Sequence, residues 1–310
     1  MPKAVRVFAP ATVANVCVGF DVLGFALEEP GDEIVARRGE VPGLRITQIH
    51  GAKKDLPKDI TKNTAGFGSY ELLKDLGLQD EPIELEIYKK MPFGSGMGSS
   101  AASAAAGVLA INELLGRPLS KDELVKYAVI GESAADGAIH GDNVIPALCG
   151  GMVLIRDNAS FDFIKLPVPS GLTVVLIYPE IEILTKEARA VLSKDVSLDQ
   201  MIKQTGNIAS FVASLYLNNL DLMAKSLRDH VIEPQRSSLI PYFYEMQRIA
   251  LENGAMNYSI SGAGPSMFAF CQNTLIAEAV STSVTAFLSS REIQAHAYHS
   301  AINTKGAFLM

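Results

Sequence analysis

The chain has 310 residues, of which 48% are hydrophobic and 20% charged, and its formal net charge is −7. That length and composition predict a globular protein built as two domains or as one large one. The negative charge and the lack of any Lys or Arg run longer than two residues argue against nucleic acid as the main partner, because binding to a phosphate backbone needs a concentrated basic face.

Features that report on the cellular compartment predict a cytoplasmic protein. The N-terminus lacks the long apolar region of a signal peptide. Cys17, Cys149 and Cys271 are far apart and odd in number, which is typical of buried thiols in a reducing compartment. Two uncharged stretches, residues 91–112 and 255–277, contain too much Gly, Ser and Pro for a transmembrane helix, so we expect no membrane association.

Strand and helix patterns interleave along the chain. The predicted strands span residues 3–10, 82–88, 151–155, 172–178 and 267–271, where apolar residues alternate or are enriched in β-formers. The predicted helices span residues 101–115, 120–135, 186–192, 198–215, 220–230, 240–253 and 275–288. This order predicts an α+β or α/β fold. The stretch 157–170, with two prolines, predicts a boundary between domains 1–160 and 161–310.

The most informative segment is a glycine-rich loop at residues 92–103, Pro-Phe-Gly-Ser-Gly-Met-Gly-Ser-Ser-Ala-Ala-Ser. Glycines at 94, 96 and 98 allow positive φ and let a ligand approach the backbone closely. The start of the following helix presents unpaired N–H groups and the positive end of the helix dipole. The hydroxyls of Ser99 and Ser100 can bind a phosphate oxygen or Mg²⁺. The segment therefore predicts an anion site that needs no lysine.

Two well-known phosphate motifs do not match this loop. No lysine follows Gly98, as the Walker A motif requires, and the glycine spacing differs from the Gly-x-Gly-x-x-Gly dinucleotide fingerprint. From the residues alone, a packing loop without a ligand remains the alternative.

The loop resembles the phosphate-binding signature of the GHMP kinases, Pro-x3-Gly-Leu/Met-Gly-Ser-Ser-Ala-Ala. Residues 9–15 resemble the N-terminal motif of that superfamily and residues 257–266 its C-terminal glycine motif, so the resemblance spans almost the whole chain. It implies a GHMP kinase fold of the α+β class, with an N-terminal domain like the second domain of ribosomal protein S5 and a ferredoxin-like C-terminal domain. The active site is expected between them, with ATP and Mg²⁺ as cofactors.

The same resemblance implies a set of nucleotide contacts. The expected ATP-binding residues are Asn63, Lys89, Pro92, Gly94, Ser95, Gly96, Met97, Gly98, Ser99, Ser100, Ala101 and Ala102. Ser100 and Glu132 are the expected magnesium ligands and are predicted to be catalytic. Two alternatives stay open from the residues alone. Glu132 could be an exposed glutamate at a helix edge, and Lys89 could be the solvated end of a strand.

Four segments, at residues 15–24, 140–147, 185–189 and 233–236, resemble the homoserine kinase family in particular. The implied substrate, L-homoserine, carries a carboxylate, an ammonium and a primary hydroxyl, and the implied reaction is a step of threonine biosynthesis. Arginine is the natural clamp for a carboxylate. The expected substrate-binding residues are Asn15, Asp21, His140, Asn143, Thr185, Arg189 and Arg236. Asp21 is expected at the ammonium, the two arginines at the carboxylate and Asn143 at the hydroxyl.

One departure from the family pattern concerns the catalytic base. The chain has Asp136-Gly137 where the family commonly has Ser-Gly, so Asp136 or Asp142 acting as a base is one alternative. The favoured interpretation has no dedicated base. Catalysis then rests on Asn143, Glu132 and Ser100, through positioning and electrostatic stabilisation of the phosphoryl group.

Two other functions remain to be distinguished from this one. Another GHMP kinase, such as mevalonate kinase, would act on a substrate with no ammonium for Asp21. A non-catalytic ligand sensor on the same fold would be expected to lose Glu132 or a loop serine, and the chain has both. The sequence leaves the oligomeric state open, with a homodimer as one alternative.

Overall fold

The computed structural model describes residues 2–52, 55–136, 140–183 and 185–310, with the side chains at 135, 136 and 185 outside this description. Within these residues a seven-stranded sheet has the order β11-β1-β2-β4-β3, and the hairpin β5-β6 is attached to β2. Its strands are β1 Ala4–Ala14, β2 Leu23–Arg38, β3 Leu44–His50, β4 Ile83–Tyr88, β5 Met152–Asp157, β6 Asp162–Leu166 and β11 Phe308–Leu309. Only β3 and β4 pair in parallel among these strands.

A layer of four helices accompanies this sheet: α1 Thr64–Asp75, α2 Ser99–Leu114, α3 Lys121–Asp136 and α4 Val144–Cys149. Glycines let the first three approach one another closely. A Cβ atom on Gly131 would lie 2.6 Å from the carbonyl oxygen of Thr64, and one on Gly107 would lie 2.7 Å from that of Ala65. Contacts this short leave no room for a side chain. The residue after Gly131 is Glu132, which this packing brings to the N-terminal end of α2.

The second sheet has the order β10-β7-β9-β8. Its strands are β7 Thr173–Pro179, β8 Ser259–Ile260, β9 Met267–Cys271 and β10 Ala295–Ser300. The remaining helices are α5 Thr185–Ala190, α6 Leu198–Tyr216, α7 Leu220–Ser226, α8 Glu233–Arg236, α9 Phe243–Glu252 and α10 Thr274–Ser290. Phe25 of β2 packs against the rings of Phe268 and Phe270 in β9, at centroid distances of 5.8 and 5.3 Å. The two sheets therefore share apolar contacts, which fix the cleft between them.

The predicted strands and helices coincide with elements of the structure, with ends shifted by a few residues, and the α+β class is confirmed. Nine of the described strands and α-helices were not predicted from the sequence: β2, β3, β6, β8, β10, β11, α1, α4 and α8. The first sheet continues six residues past the predicted boundary at 160, because the turn at 157–161 closes the hairpin β5-β6, and it takes its last strand from the C-terminus. The division into two domains stays a prediction.

Across the described helices, none is both long and apolar enough to cross a membrane.

Candidate active site

The glycine loop joins β4 to α2 and lies where both sheets meet. Gly94, Gly96 and Gly98 have φ values of 62°, 74° and 68°, in the left-handed region that side chains rarely adopt. A Cβ atom on Gly98 would lie 2.0 Å from Oγ1 of Thr12, and one on Gly96 would lie 2.6 Å from the carbonyl oxygen of Ser261. Both glycines are therefore required by conformation and by space.

Hydrogen bonds from both halves of the chain hold this loop. The backbone N–H of Thr12 in β1 donates to the carbonyl of Met97 at 3.0 Å. From the second half, the hydroxyl of Ser261 donates to the carbonyl of Gly96 at 2.7 Å, and the N–H of Ser266 donates to the carbonyl of Ser95 at 3.1 Å. The loop carbonyls are bound on both sides, which fixes the direction of the loop N–H groups.

Helix α2 begins directly after the loop. Gly98 is its N-cap residue, in the left-handed conformation and with no side-chain hydrogen bond to the first turn. The N-terminal N–H groups of a helix and its dipole together favour an anion. The side chains of Met97, Ala101 and Ala102 are fully buried, so their expected contacts with a phosphate could be made only by the backbone.

Ser100 and Glu132 meet at the start of α2. The hydroxyl of Ser100 donates to Oε1 of Glu132 at 2.5 Å. The described residues contain no group of three or more His, Cys, Asp or Glu side chains that could hold a metal by themselves. Mg²⁺ commonly uses one or two protein oxygens and completes its shell with phosphate oxygens and water, so a hydroxyl and a carboxylate beside a phosphate loop fit this ion.

Lys89 is placed beneath α2 and not in an open cleft. Its ammonium donates to Asp32, to the carbonyl of Ser99 at 2.8 Å and to Oγ of Ser103 at 2.7 Å, and its side chain is 8% exposed. Asp32, fully buried in β2, also accepts from the hydroxyl of Ser99. The alternative that Lys89 is the solvated end of a strand is therefore wrong. An ATP contact through this ammonium would have to compete with three acceptors.

Asn63 is the N-cap residue of α1. Its amide oxygen accepts from the N–H groups of Ala65 and Gly66, and its amide nitrogen donates to the carbonyl of Pro57 at 2.8 Å. It is buried. This role orders the segment before α1, so any effect of Asn63 on the nucleotide would pass through the backbone beside it.

A cluster of charged side chains surrounds Asp21, which lies on the loop between β1 and β2. Arg189 of α5 donates to both carboxylate oxygens of Asp21, with the shortest Nη2–Oδ1 distance at 3.1 Å. A ring nitrogen of His140 lies 3.1 Å from Nη2 of Arg189, and the other lies 3.7 Å from Asp21. Three of the residues expected at the substrate are thus in direct contact, although they are up to 168 positions apart.

Asn15 and Arg236 converge on one carbonyl group. The amide nitrogen of Asn15 and Nη1 of Arg236 both donate to the carbonyl oxygen of Gly262 at 2.9 Å. A Cβ atom on Gly262 would lie 3.6 Å from the carbonyl oxygen of Gly96, so this meeting point adjoins the phosphate loop. Arg236 is 4% exposed, and burial lowers the pKa of its guanidinium, with Arg189 adding repulsion.

Asn143 lies against the glycine loop, beside Thr12. Its amide oxygen accepts from the hydroxyl of Thr12 at 2.8 Å, which directs its NH₂ group away from Thr12. A Cβ atom on Gly98 would lie 2.9 Å from the same amide oxygen. The neighbouring Asp142 is buried, and burial together with the charge of Asp21 raises its pKa to about 7.

Two expectations cannot be compared with the structure. The side chains of Asp136 and Thr185, and Gly137, lie outside the described residues. Four residues that contribute to the site were not predicted: Thr12, Phe20, Asp32 and Ser261. Thr12 lies within the N-terminal motif at residues 9–15 and Ser261 within the C-terminal motif at residues 257–266, so those two motifs could have pointed to them. Asp32 follows Pro30-Gly31, a pair typical of turns, which concealed its place in a strand.

Comparison with known proteins shows the family to which the chain belongs. The family model described as the GHMP kinases N terminal domain matches residues 59–151, and that described as GHMP kinases C terminal matches residues 208–290. The chain is 44% identical to the homoserine kinase of Chlorobium phaeobacteroides strain BS1, over 98% of this chain and 99% of that protein. The chain belongs to the GHMP kinases and, within them, to the homoserine kinase family.

Other relatives and solved structures are also similar to the chain. Identity to the homoserine kinase of Xylella fastidiosa strain M12 is 40%, over 98% of this chain and 94% of that protein. A crystal structure of a homoserine kinase from Cytophaga hutchinsonii superposes with a TM-score of 0.98 at 44% identity, covering 100% of this chain and 98% of that one. A mevalonate kinase from L. major has a TM-score of 0.71 at 16% identity, over 95% of each chain, and shares the fold.

Proposed function

We propose that this chain transfers the γ-phosphoryl group of ATP to the side-chain hydroxyl of L-homoserine, giving O-phospho-L-homoserine for threonine biosynthesis. The observation that carries this proposal is the ion pair of Asp21 with Arg189, together with Arg236 over the same Phe20 ring as Arg189 and bound to Gly262 beside the glycine loop. A zwitterionic amino acid offers one group for the carboxylate of Asp21 and one for the guanidinium groups, and its side chain then extends toward Asn143 and the loop.

Binding of ATP is assigned to the glycine loop and the start of α2. Their backbone N–H groups would hold the phosphates, and Ser100 and Glu132 would hold Mg²⁺, which when bound neutralises charge on the phosphate oxygens. A hollow next to the loop is proposed for the adenine. It is lined by Gly51, Ala52, Leu56, Lys89, Lys90, Met91, Pro92 and Phe93.

Catalysis is assigned to positioning. Phosphoryl transfer through a loose transition state depends mainly on alignment and charge stabilisation, which a fixed loop and an oriented Asn143 amide supply. A carboxylate base remains the second candidate. Asp142 fits it less well, because the residue is only 3% exposed and so offers little access to a substrate hydroxyl.

A coupled assay of ADP release across homoserine, mevalonate, galactose and serine tests the activity. Homoserine is expected to have a kcat/KM at least ~10³-fold above mevalonate and galactose, because a substrate that leaves buried polar groups unpaired is rejected strongly. Serine has the same polar groups and is one methylene shorter, so a smaller factor of about 10–200 is expected for it. Comparable turnover of mevalonate would reassign the substrate. Tight binding of homoserine without ADP release would indicate the ligand sensor.

Arg236→Leu is expected to raise the KM for homoserine at least ~30-fold with little change in the KM for ATP. Removing one partner of a buried charge pair costs about 2–5 kcal/mol, largely because the other charge is left unpaired. Steady-state kinetics with each substrate varied in turn measures both constants. Arg291→Leu is the matched control, since Arg291 also lies over aromatic rings but outside the cleft. An unchanged KM for homoserine would remove Arg236 from the site.

The proposal also includes the cellular compartment and the oligomeric state of the protein. Cys17, Cys149 and Cys271 are free and buried, which supports the cytoplasm as the location. A homodimer stays a prediction.

A further inference from the structure

The aromatic ring of Phe20 lies against two arginine side chains at the cleft. It directly precedes Asp21 in the loop between β1 and β2. The guanidinium carbon of Arg236 lies 5.0 Å from the centroid of its ring, and that of Arg189 lies 5.4 Å from the same centroid. Both distances are within the ~6 Å at which a cation is attracted to the face of an aromatic ring. One ring thus contacts both arginines that we assign to the substrate carboxylate.

The other contacts of the two arginines differ in kind. Arg189 is paired with Asp21, and its side chain is 41% exposed. Arg236 is buried, and its Nε and Nη1 atoms donate to the carbonyl oxygens of Ala188 and Gly262. Two guanidinium groups at one site repel each other, and Arg189 contributes to the lowered pKa of Arg236. Attraction of both cations to one aromatic ring offsets part of this repulsion.

We propose that Phe20 is a positioning residue that sets the spacing of Arg189 and Arg236 and thereby the preference for substrates with a carboxylate. The proposal rests on the proposed function, because it acts on the carboxylate of the amino-acid substrate. The property of Phe20 that this role requires is its aromatic ring, which attracts the two guanidinium groups. A residue of similar volume without a ring would fill the space but would no longer attract the two cations.

The test compares homoserine with 3-aminopropan-1-ol, which has the same hydroxyl and ammonium but no carboxylate. In Phe20→Leu the ratio of kcat/KM for homoserine to that for 3-aminopropan-1-ol is expected to fall about 5- to 30-fold, equivalent to about 1–2 kcal/mol. The KM for ATP should stay near the wild-type value. A general loss of folding lowers both rates together and leaves the ratio unchanged, so the ratio isolates the carboxylate. If the amino alcohol is turned over too slowly, its inhibition constant against homoserine replaces its rate.

Two further variants complete the experiment. Phe20→Tyr keeps the ring face and is expected to keep the ratio within about threefold of wild type. Phe287→Leu is the matched control, because Phe287 also lies under an arginine, Arg291, at 5.3 Å, but in α10 away from the cleft. It should leave the ratio unchanged.

The possible failures are distinguishable. A wild-type ratio in Phe20→Leu overturns the proposal while homoserine turnover still supports the function. Equal losses in Phe20→Leu and Phe20→Tyr also overturn it, since they would make shape and not the ring face the cause. Absence of homoserine turnover in the wild-type protein would defeat the proposed function itself.

Discussion

Gly98→Val is expected to abolish measurable binding of ATP. A β-branched side chain is strongly disfavoured at a φ of 68°, and its Cβ atom would lie 2.0 Å from Oγ1 of Thr12 and 2.9 Å from Oδ1 of Asn143. Neither neighbour can move without loss, because each is hydrogen-bonded to the other. The loop would therefore shift, and the N–H groups assigned to the phosphates would no longer converge.

Calorimetric titration with ATP and Mg²⁺ measures this effect, together with thermal unfolding to establish that the variant is folded. Gly116→Val is the matched control. Gly116 also has a positive φ, of 87°, but no heavy atom lies within 4 Å of the position that its Cβ would take. It should lose some stability and retain ATP affinity. A folded Gly98→Val protein that binds ATP as wild type does would show that the loop is not the phosphate site.

Glu132→Gln is expected to lower kcat by at least a few hundredfold. Loss of one preorganised electrostatic group at a developing charge costs typically ~2.7–4 kcal/mol. Glu132 is hydrogen-bonded to Ser100 at the start of α2, and the substitution preserves its size while removing the charge that would hold Mg²⁺. The structure of α3 should therefore be retained while the phosphate charge is less well balanced.

The measurement is kcat at saturating homoserine, ATP and Mg²⁺. Glu123→Gln, in the same helix, is the control: Glu123 is exposed and accepts from Ser120 at the helix start, so its loss should affect stability slightly and turnover hardly at all. Near-normal turnover of Glu132→Gln would exclude Glu132 from catalysis.

The strands and helices that could be predicted are those whose pattern of apolar residues or turn residues lies within the element itself or directly beside it. β4 alternates buried and half-buried residues along its six positions, and α2 follows a glycine loop with an Ala-rich run. β2 was missed because Glu28-Glu29-Pro30-Gly31 reads as a turn, whereas the strand is held by partners from three distant segments, β1, β4 and β5. α1 contains Gly66 and Gly68, which weaken helix propensity but allow close packing.

In the candidate site, too, contiguous features could be predicted from the sequence, whereas features that depend on distant residues could not. The glycine loop is contiguous, so its motif was visible in the sequence. The role of Lys89 was not, because it depends on Asp32, which lies 57 positions away and completely buried. Phe20 lies inside the segment 15–24 that resembles the homoserine kinase family, but no role could be predicted for it, since a single aromatic residue in a loop is ordinary until two cations are found over its ring.

The hydrogen bonds from Ser261 and Ser266 to the glycine loop have an evolutionary consequence. The loop and the segment that binds its carbonyls are encoded far apart in the gene, since Gly96 and Ser261 are 165 positions apart. A fragment carrying the first half alone would retain the glycines but expose the carbonyls of Ser95 and Gly96 to solvent. The conformation of the loop therefore depends on a distant segment, so transfer of residues 92–103 alone to another protein is not expected to preserve it.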